Sequence, residues 1–359
     1  MAEKIFIAID RLTLALEKLS AKIDLWIPAS LQTNNRELTG FVPHHAGMVP
    51  ILDRQSTLPP KKILLPQVET LLRFEHRKDP QNPLKVSVSL DDKSEVRPTL
   101  VFGARPCDVK GFLTLDRVFT NGPYVDPYYL ERRRNTLFAT LVCLQADGAC
   151  FCSSVGSGPA DMEGSDFRVI PVDGGYVVDA LTQKAQSLFD SLGDTPKQHQ
   201  EAQARQVVEE ASKHRVGDLD LTGSAEAFRK RFEQNDYWQE MAAQCLSCGV
   251  CTHVCPTCYC FTITDEIENL RGERLRSWDS CMFYQYSLEA SGHNPRPSKL
   301  NRYRNRVGHK FSYIPEKYDG LIGCCGCGRC IRSCPVSIDI RQIVGRLKEN
   351  ACESEQISK

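Results

Sequence analysis

Residues 245–256 read CLSCGVCTHVCP, and residues 324–335 read CCGCGRCIRSCP. Both runs space their thiols as Cys-x2-Cys-x2-Cys-x3-Cys-Pro. The first holds Cys245, Cys248, Cys251 and Cys255 before Pro256; the second holds Cys324, Cys327, Cys330 and Cys334 before Pro335. Three thiols at x2 intervals can wrap one face of a small inorganic cube within a short loop. The fourth corner must then be supplied from elsewhere, and each run ends in a cysteine whose following proline fixes the turn.

In the bacterial ferredoxin pattern the fourth cysteine of each run serves the other cluster. On that logic Cys245, Cys248, Cys251 and Cys334 hold one [4Fe–4S] cluster, and Cys324, Cys327, Cys330 and Cys255 hold a second. The glycines of CCGCGRC let the backbone approach closely and aim amides at sulfur. Structural zinc prefers two CxxC pairs separated by a longer loop and fits a repeated x2, x2, x3 run poorly. With four thiolates on each cluster no coordination site is open, so such a pair carries electrons and catalyses nothing alone.

The rest of the chain sets bounds. Its 359 residues suggest two or three domains, and 45 basic against 45 acidic residues leave no net charge to attract nucleic acid or anionic membrane. Seventeen cysteines in a chain without a secretory leader argue for metal ligation in the cytoplasm rather than a disulfide scaffold. No apolar run is long enough to span a bilayer. The start, MAEKIFIAIDRLTLALEKLS, reads as an amphipathic helix.

The expected fold class is α+β. A mixed α/β domain occupies 1–195, with strands at 85–90, 99–104, 135–144 and 174–180 and a loop at 153–166. A helical connector of two helices, broken near GDLDLTGS, covers 196–244. A helical, bacterial-ferredoxin-like dicluster domain follows at 245–345, with a long insert at 261–323 between the cluster motifs. A polar tail closes the chain at 346–359. Within the first domain, Cys107 and Cys143 sit at the ends of expected strands, and Cys150 and Cys152 precede the Gly/Ser-rich loop. These four could hold a third [4Fe–4S] cluster, or could be buried structural thiols. From His293 to Lys310 the insert carries six Lys/Arg and no acid. Its Arg302, Arg304 and Arg306 are expected to form a charged face that docks a partner. Cys258, Cys260, Cys281 and Cys325 receive no role.

The strings FGARPCD, CFCSSVGSGP, CPTCYCF, RSWDSC, GHNPRP, HKFSY and CGRCIRSCPVSIDI together resemble the iron–sulfur subunits typified by the anaerobic sulfite reductase A subunit and the sulfhydrogenase beta subunit. The resemblance covers about residues 100–345. It implies an electron-transfer subunit of a soluble oxidoreductase complex, not catalytic alone. Its partners would be a subunit that binds FAD and NAD(P)H and a subunit that holds the terminal redox centre. A relay of the heterodisulfide reductase or glycolate oxidase type is the alternative, as is a cluster-bearing regulatory or nucleic-acid-binding protein.

Overall fold

The computed structural model describes residues 4–33, 36–82, 84–92, 96–188 and 192–349. The end of the polar tail, with Cys352, lies outside them. Eleven strands build two sheets: β1 (Lys4–Ala8), β2 (Asp24–Thr33), β3 (Arg36–Pro43), β4 (Val68–Lys78), β5 (Val86–Asp91), β6 (Thr99–Ala104), β7 (Thr136–Leu141), β8 (Phe167–Val172), β9 (Gly175–Ala180), β10 (Phe261–Glu268) and β11 (Arg271–Trp278).

The larger sheet has seven strands in the order β1-β9-β8-β7-β6-β2-β3. Its middle, β2-β6-β7-β8, is parallel, and antiparallel pairs close both edges. Parallel strands are covered on both faces, so they read as continuous apolar runs. TLVFGA at β6 is buried from Leu100 onward, and TLFATL at β7 is buried apart from Leu137. One face is covered by the helix Leu12–Ser20, which inserts Leu12, Ala15, Leu16 and Leu19 among Leu25, Leu100 and Val178. On the other side the helix Gln198–Lys213 lays Ala204 and Ala211 on Val142, Ile170 and Val177.

The expected strands are all present, within a few residues at their ends. The expected helix over the first twenty residues is not whole. KIFIA alternates between half-buried and buried residues and pairs with β9, so the helix starts only at Leu12. The connector has three helices rather than two: Gln198–Lys213, Ser224–Arg231 and Asn235–Ala242.

The smaller sheet is antiparallel in the order β10-β11-β4-β5. It joins a hairpin from the first domain to a hairpin from the insert, with Phe74 opposite Gly272 and Glu69 opposite Arg276. The insert is therefore shared between the two halves. Arg276, 3% exposed, anchors this sheet by ion pairs to Glu69 at 2.6 Å and to Asp126.

The remaining core gathers Phe228, Trp238, Met282, Tyr303, Val307, Phe311, Val344 and Leu347 around the cysteine runs. Among the described residues no helix is long and apolar enough to cross a membrane.

Candidate metal centres

The two cysteine runs fold twice into one shape. The residue after the second position is left-handed in both: Ser247 at φ 55° and Gly326 at φ 63°. Its amide points back at the run's first sulfur, Ser247 N to Cys245 Sγ and Gly326 N to Cys324 Sγ, each at 3.4 Å. Then Gly249 and Gly328, at φ 74° and 72°, start the single-turn helices Val250–His253 and Arg329–Arg332. Amides aimed at sulfur favour the thiolate.

Cys245, Cys248, Cys251 and Cys334 line one cavity, walled by Leu246, Val250, Met282, Ile338 and Ile340. Cys248 is exposed at its rim. Cys334 of the second run thus faces the three thiols of the first, and Ile338 N donates to its sulfur at 3.3 Å. Cys330 also reaches this cavity. Cys255 lies among the second run's thiols, within electrostatic reach of Cys324, Cys327 and Cys330. Burial pushes the thiol of Cys324 up to about 12 and that of Cys330 to about 11.

Besides Arg329, the basic side chains Lys61, Arg306 and Lys310 are buried here, at 3%, 4% and 4% exposed. Among the described residues no carboxylate pairs with any of these three. Lys61 Nζ bonds the carbonyls of Thr252 and Cys258 at 3.2 and 3.1 Å and sits 4.1 Å from the Trp278 ring centroid. Arg306 lines the first run's cavity with Cys251 and Cys330 and is within electrostatic reach of both. A buried cation without an anion is costly. The donor set of soft thiols, inward amides and unpaired cations fits anionic iron–sulfur clusters and leaves the cations uncompensated without them.

Arg302, Arg304 and Arg306 do not form the outward face expected of them. Arg302 is buried and donates to the carbonyls of Met282, Arg296 and Pro297. Arg304 lies over the Phe232 ring at 4.0 Å and bonds that residue's carbonyl. The helix Lys299–Gly308 turns these cations inward because carbonyls and sulfurs, not solvent, face it. Charge counted along a sequence does not tell inward from outward.

Cys107 and Cys143 stand just past the carboxyl ends of the neighbouring parallel strands β6 and β7, where open α/β sheets place their ligands. Cys150 and Cys152 come over them on the following loop. Cys143 is within electrostatic reach of both Cys107 and Cys152, and Cys152 of Cys150. Gln55 Nε2 lies 3.1 Å from Cys107 Sγ. The second run docks directly on this loop. Phe151 N donates to Gly326 O at 2.7 Å, and Cys150 Sγ lies 3.7 Å from Cys327 O. Arg329 of the second run forms a fully buried ion pair with Asp108, at 2.7 Å, beside Cys107. Cys325, without a role by spacing, packs with Cys107 and Cys327.

Cys258, Cys260 and Cys281 form a further group beside Lys61. The thiol of Cys260 is drawn down to about 6, first by a hydrogen bond from the Cys281 thiol. Lys61 and Gln55 had no signal in the sequence, because they come from a segment of the first domain far from the cysteine runs. Lys310 was visible only as one member of a basic stretch.

A family model for a 4Fe–4S dicluster domain matches residues 244–338. The sulfhydrogenase 2 subunit beta of Pyrococcus furiosus is 31% identical over 308 residues, which cover 82% of this chain and 84% of that protein. No solved structure matches the chain.

Proposed function

The chain belongs to the family of sulfhydrogenase beta subunits, iron–sulfur subunits of electron-transfer oxidoreductases, and on that premise we propose that it relays electrons between a flavin- and NAD(P)H-binding partner and a terminal redox partner. The observation that carries the reading is the doubled fold of the cysteine runs, with Cys334 turned into the first run's cavity and Cys255 into the second run. In this reading Cys245, Cys248, Cys251 and Cys334 hold one [4Fe–4S] cluster, and Cys324, Cys327, Cys330 and Cys255 the other. Cys107, Cys143, Cys150 and Cys152 hold a third.

Each such cluster, when bound, accepts and returns single electrons. The chain's own residues do the rest. The amides of Ser247, Gly326 and Ile338 hold three ligand sulfurs as acceptors. Leu246, Val250, Met282, Ile338 and Ile340 keep the first site apolar. Arg306 offsets charge between the two runs, and the contact of Gly326 with Phe151 brings the second run against the third group. The order along the molecule is then the first run, the second run and the Cys107 group. The exposed rim at Cys248 is the point where a partner meets the first site.

Iron per chain after anaerobic purification tests this. About twelve irons are expected, falling to about eight in Cys107→Ala or Cys150→Ala. Eight in the loaded parent would remove the third site. Cys334→Ala should abolish the spectrum of the cluster on Cys245 first. Selective damage to the Cys324 cluster would refute the crossover. The pure chain should take electrons from a low-potential dye, and steady turnover of sulfite, a disulfide or protons by it would overturn the relay.

A further inference from the structure

Lys310 enters the interior on the π-helical turn His309–Tyr313, which continues the helix Lys299–Gly308. Its ammonium has three donors and uses them on Cys255 Sγ at 3.3 Å, Thr257 Oγ1 at 3.0 Å and Gly323 O at 3.1 Å. Thr257 in turn bonds Gly323 O at 2.9 Å and lies 3.1 Å from Cys255 Sγ. Two of the three acceptors are neutral oxygens, so the anionic partner of this cation is sulfur.

The repeat supplies an internal comparison. The counterpart of Cys255 is Cys334, whose sulfur receives the neutral amide of Ile338. Arg306 lines the first run's cavity and is within electrostatic reach of both runs. Arg329 is neutralised by Asp108. Among the described residues, Lys310 is thus a fixed charge bonded to the second run's closing sulfur, where the counterpart at the first receives a neutral amide.

Four thiolates around an oxidised cubane leave a net negative charge, and reduction adds one more. A cation held at a ligand sulfur therefore stabilises the reduced form more than the oxidised form, and the low-dielectric interior strengthens the effect. We propose that Lys310 sets the reduction potential of the cluster closed by Cys255, holding it above the value the same ligands would otherwise give. This rests on the reading that Cys255, Cys324, Cys327 and Cys330 bind a cluster. Lys310 is a positioning and tuning residue and takes no part in ligation.

The test is a redox titration followed by electron paramagnetic resonance on the cluster-loaded chain. Wild type is compared with Lys310→Gln, Lys310→Met and Lys310→Arg, and the second cluster's signal is identified as the one lost in Cys324→Ala. At the wild-type midpoint, Lys310→Gln and Lys310→Met should lower the reduced-to-oxidised ratio of that cluster at least tenfold, about 59 mV for one electron. The first cluster's midpoint should stay in place, and Lys310→Arg should remain near wild type. Lys310→Gln keeps a hydrogen-bond donor without the charge, so it separates charge from packing. If Lys310→Met does not keep its iron, the comparison of Gln with Arg decides. Unmoved midpoints in Lys310→Gln, or an equal fall in Lys310→Arg, would overturn the proposal. Failure of the underlying reading looks different: Cys255→Ala would then leave iron content and both spectra unchanged.

Discussion

Gly326 shows how a single residue ties two sites together. A Cβ there would stand 2.5 Å from Phe151 O and 2.6 Å from Cys152 Cα, on a backbone already left-handed at φ 63°. Gly326→Ala should destabilise the chain by about 2 kcal/mol or more and disturb the second run's spectrum before the first, as thermal melting and paramagnetic resonance would report. Ser247 adopts the same left-handed backbone with a buried hydroxyl that finds no hydrogen-bond partner, so Ser247→Gly should be tolerated, with the melting temperature unchanged or slightly raised. His309 offers a pH test. Burial, then Lys310, lowers its pKa to about 4, while the unfolded imidazole titrates near 6.5. The unfolded chain therefore binds the extra proton between these values. The stability this contributes is complete above pH 6.5 and is lost as the pH falls toward 4, by up to about 3 kcal/mol. His309→Phe should flatten that part of the acid-stability curve relative to wild type. At this scale the two cysteine runs were legible because their spacing is local. Lys61 and Gln55 were not, since nothing in their own segment marks a contact with Cys258, 197 positions after Lys61, or with Cys107, 52 positions after Gln55.

Among the elements, the strands of the insert depart furthest from what the sequence suggests. FTITDEIE and RGERLRSW carry charges on nearly every other residue, and they lie in the long insert of what was expected to be a helical domain. They instead complete a sheet with β4 and β5, in a register fixed by Arg276 opposite Glu69 and by an irregularity between Arg274 and Leu275. Pairing across so long a separation leaves no local periodicity to read. The parallel strands β6 and β7 were legible for the opposite reason, as short apolar runs. Because Arg276 is buried against two carboxylates, Arg276→Leu leaves acids without their counter-charge and should cost about 3–5 kcal/mol. Iron content should be retained in that variant, measured beside its melting temperature. Loss of both together would mean that the sheet supports the cysteine sites.

At the scale of the whole molecule, the boundary drawn from sequence between a mixed domain and a cluster domain is crossed repeatedly. Lys61 reaches the second half from the first, Arg329 reaches Asp108, and β11 pairs with β4. Asp108→Asn would leave Arg329 buried without its anion, and should cost about 3–5 kcal/mol while loosening the second run from Cys107. Limited proteolysis between the halves would report that opening as faster cleavage. The shared sheet also bears on how the protein is made. The hairpin β4–β5 leaves the ribosome long before its neighbour β11, and at about 5–20 residues per second the wait is on the order of ten to forty seconds. During that interval β4 presents an open edge, and Val86, Val88 and Leu90, exposed even in the finished chain, lie beside it. A nascent chain in this state is a natural client for a ribosome-associated chaperone. On the proposed crossover of the two cysteine runs, iron loading would then be one of the last events of its biogenesis, after translation has passed Cys334.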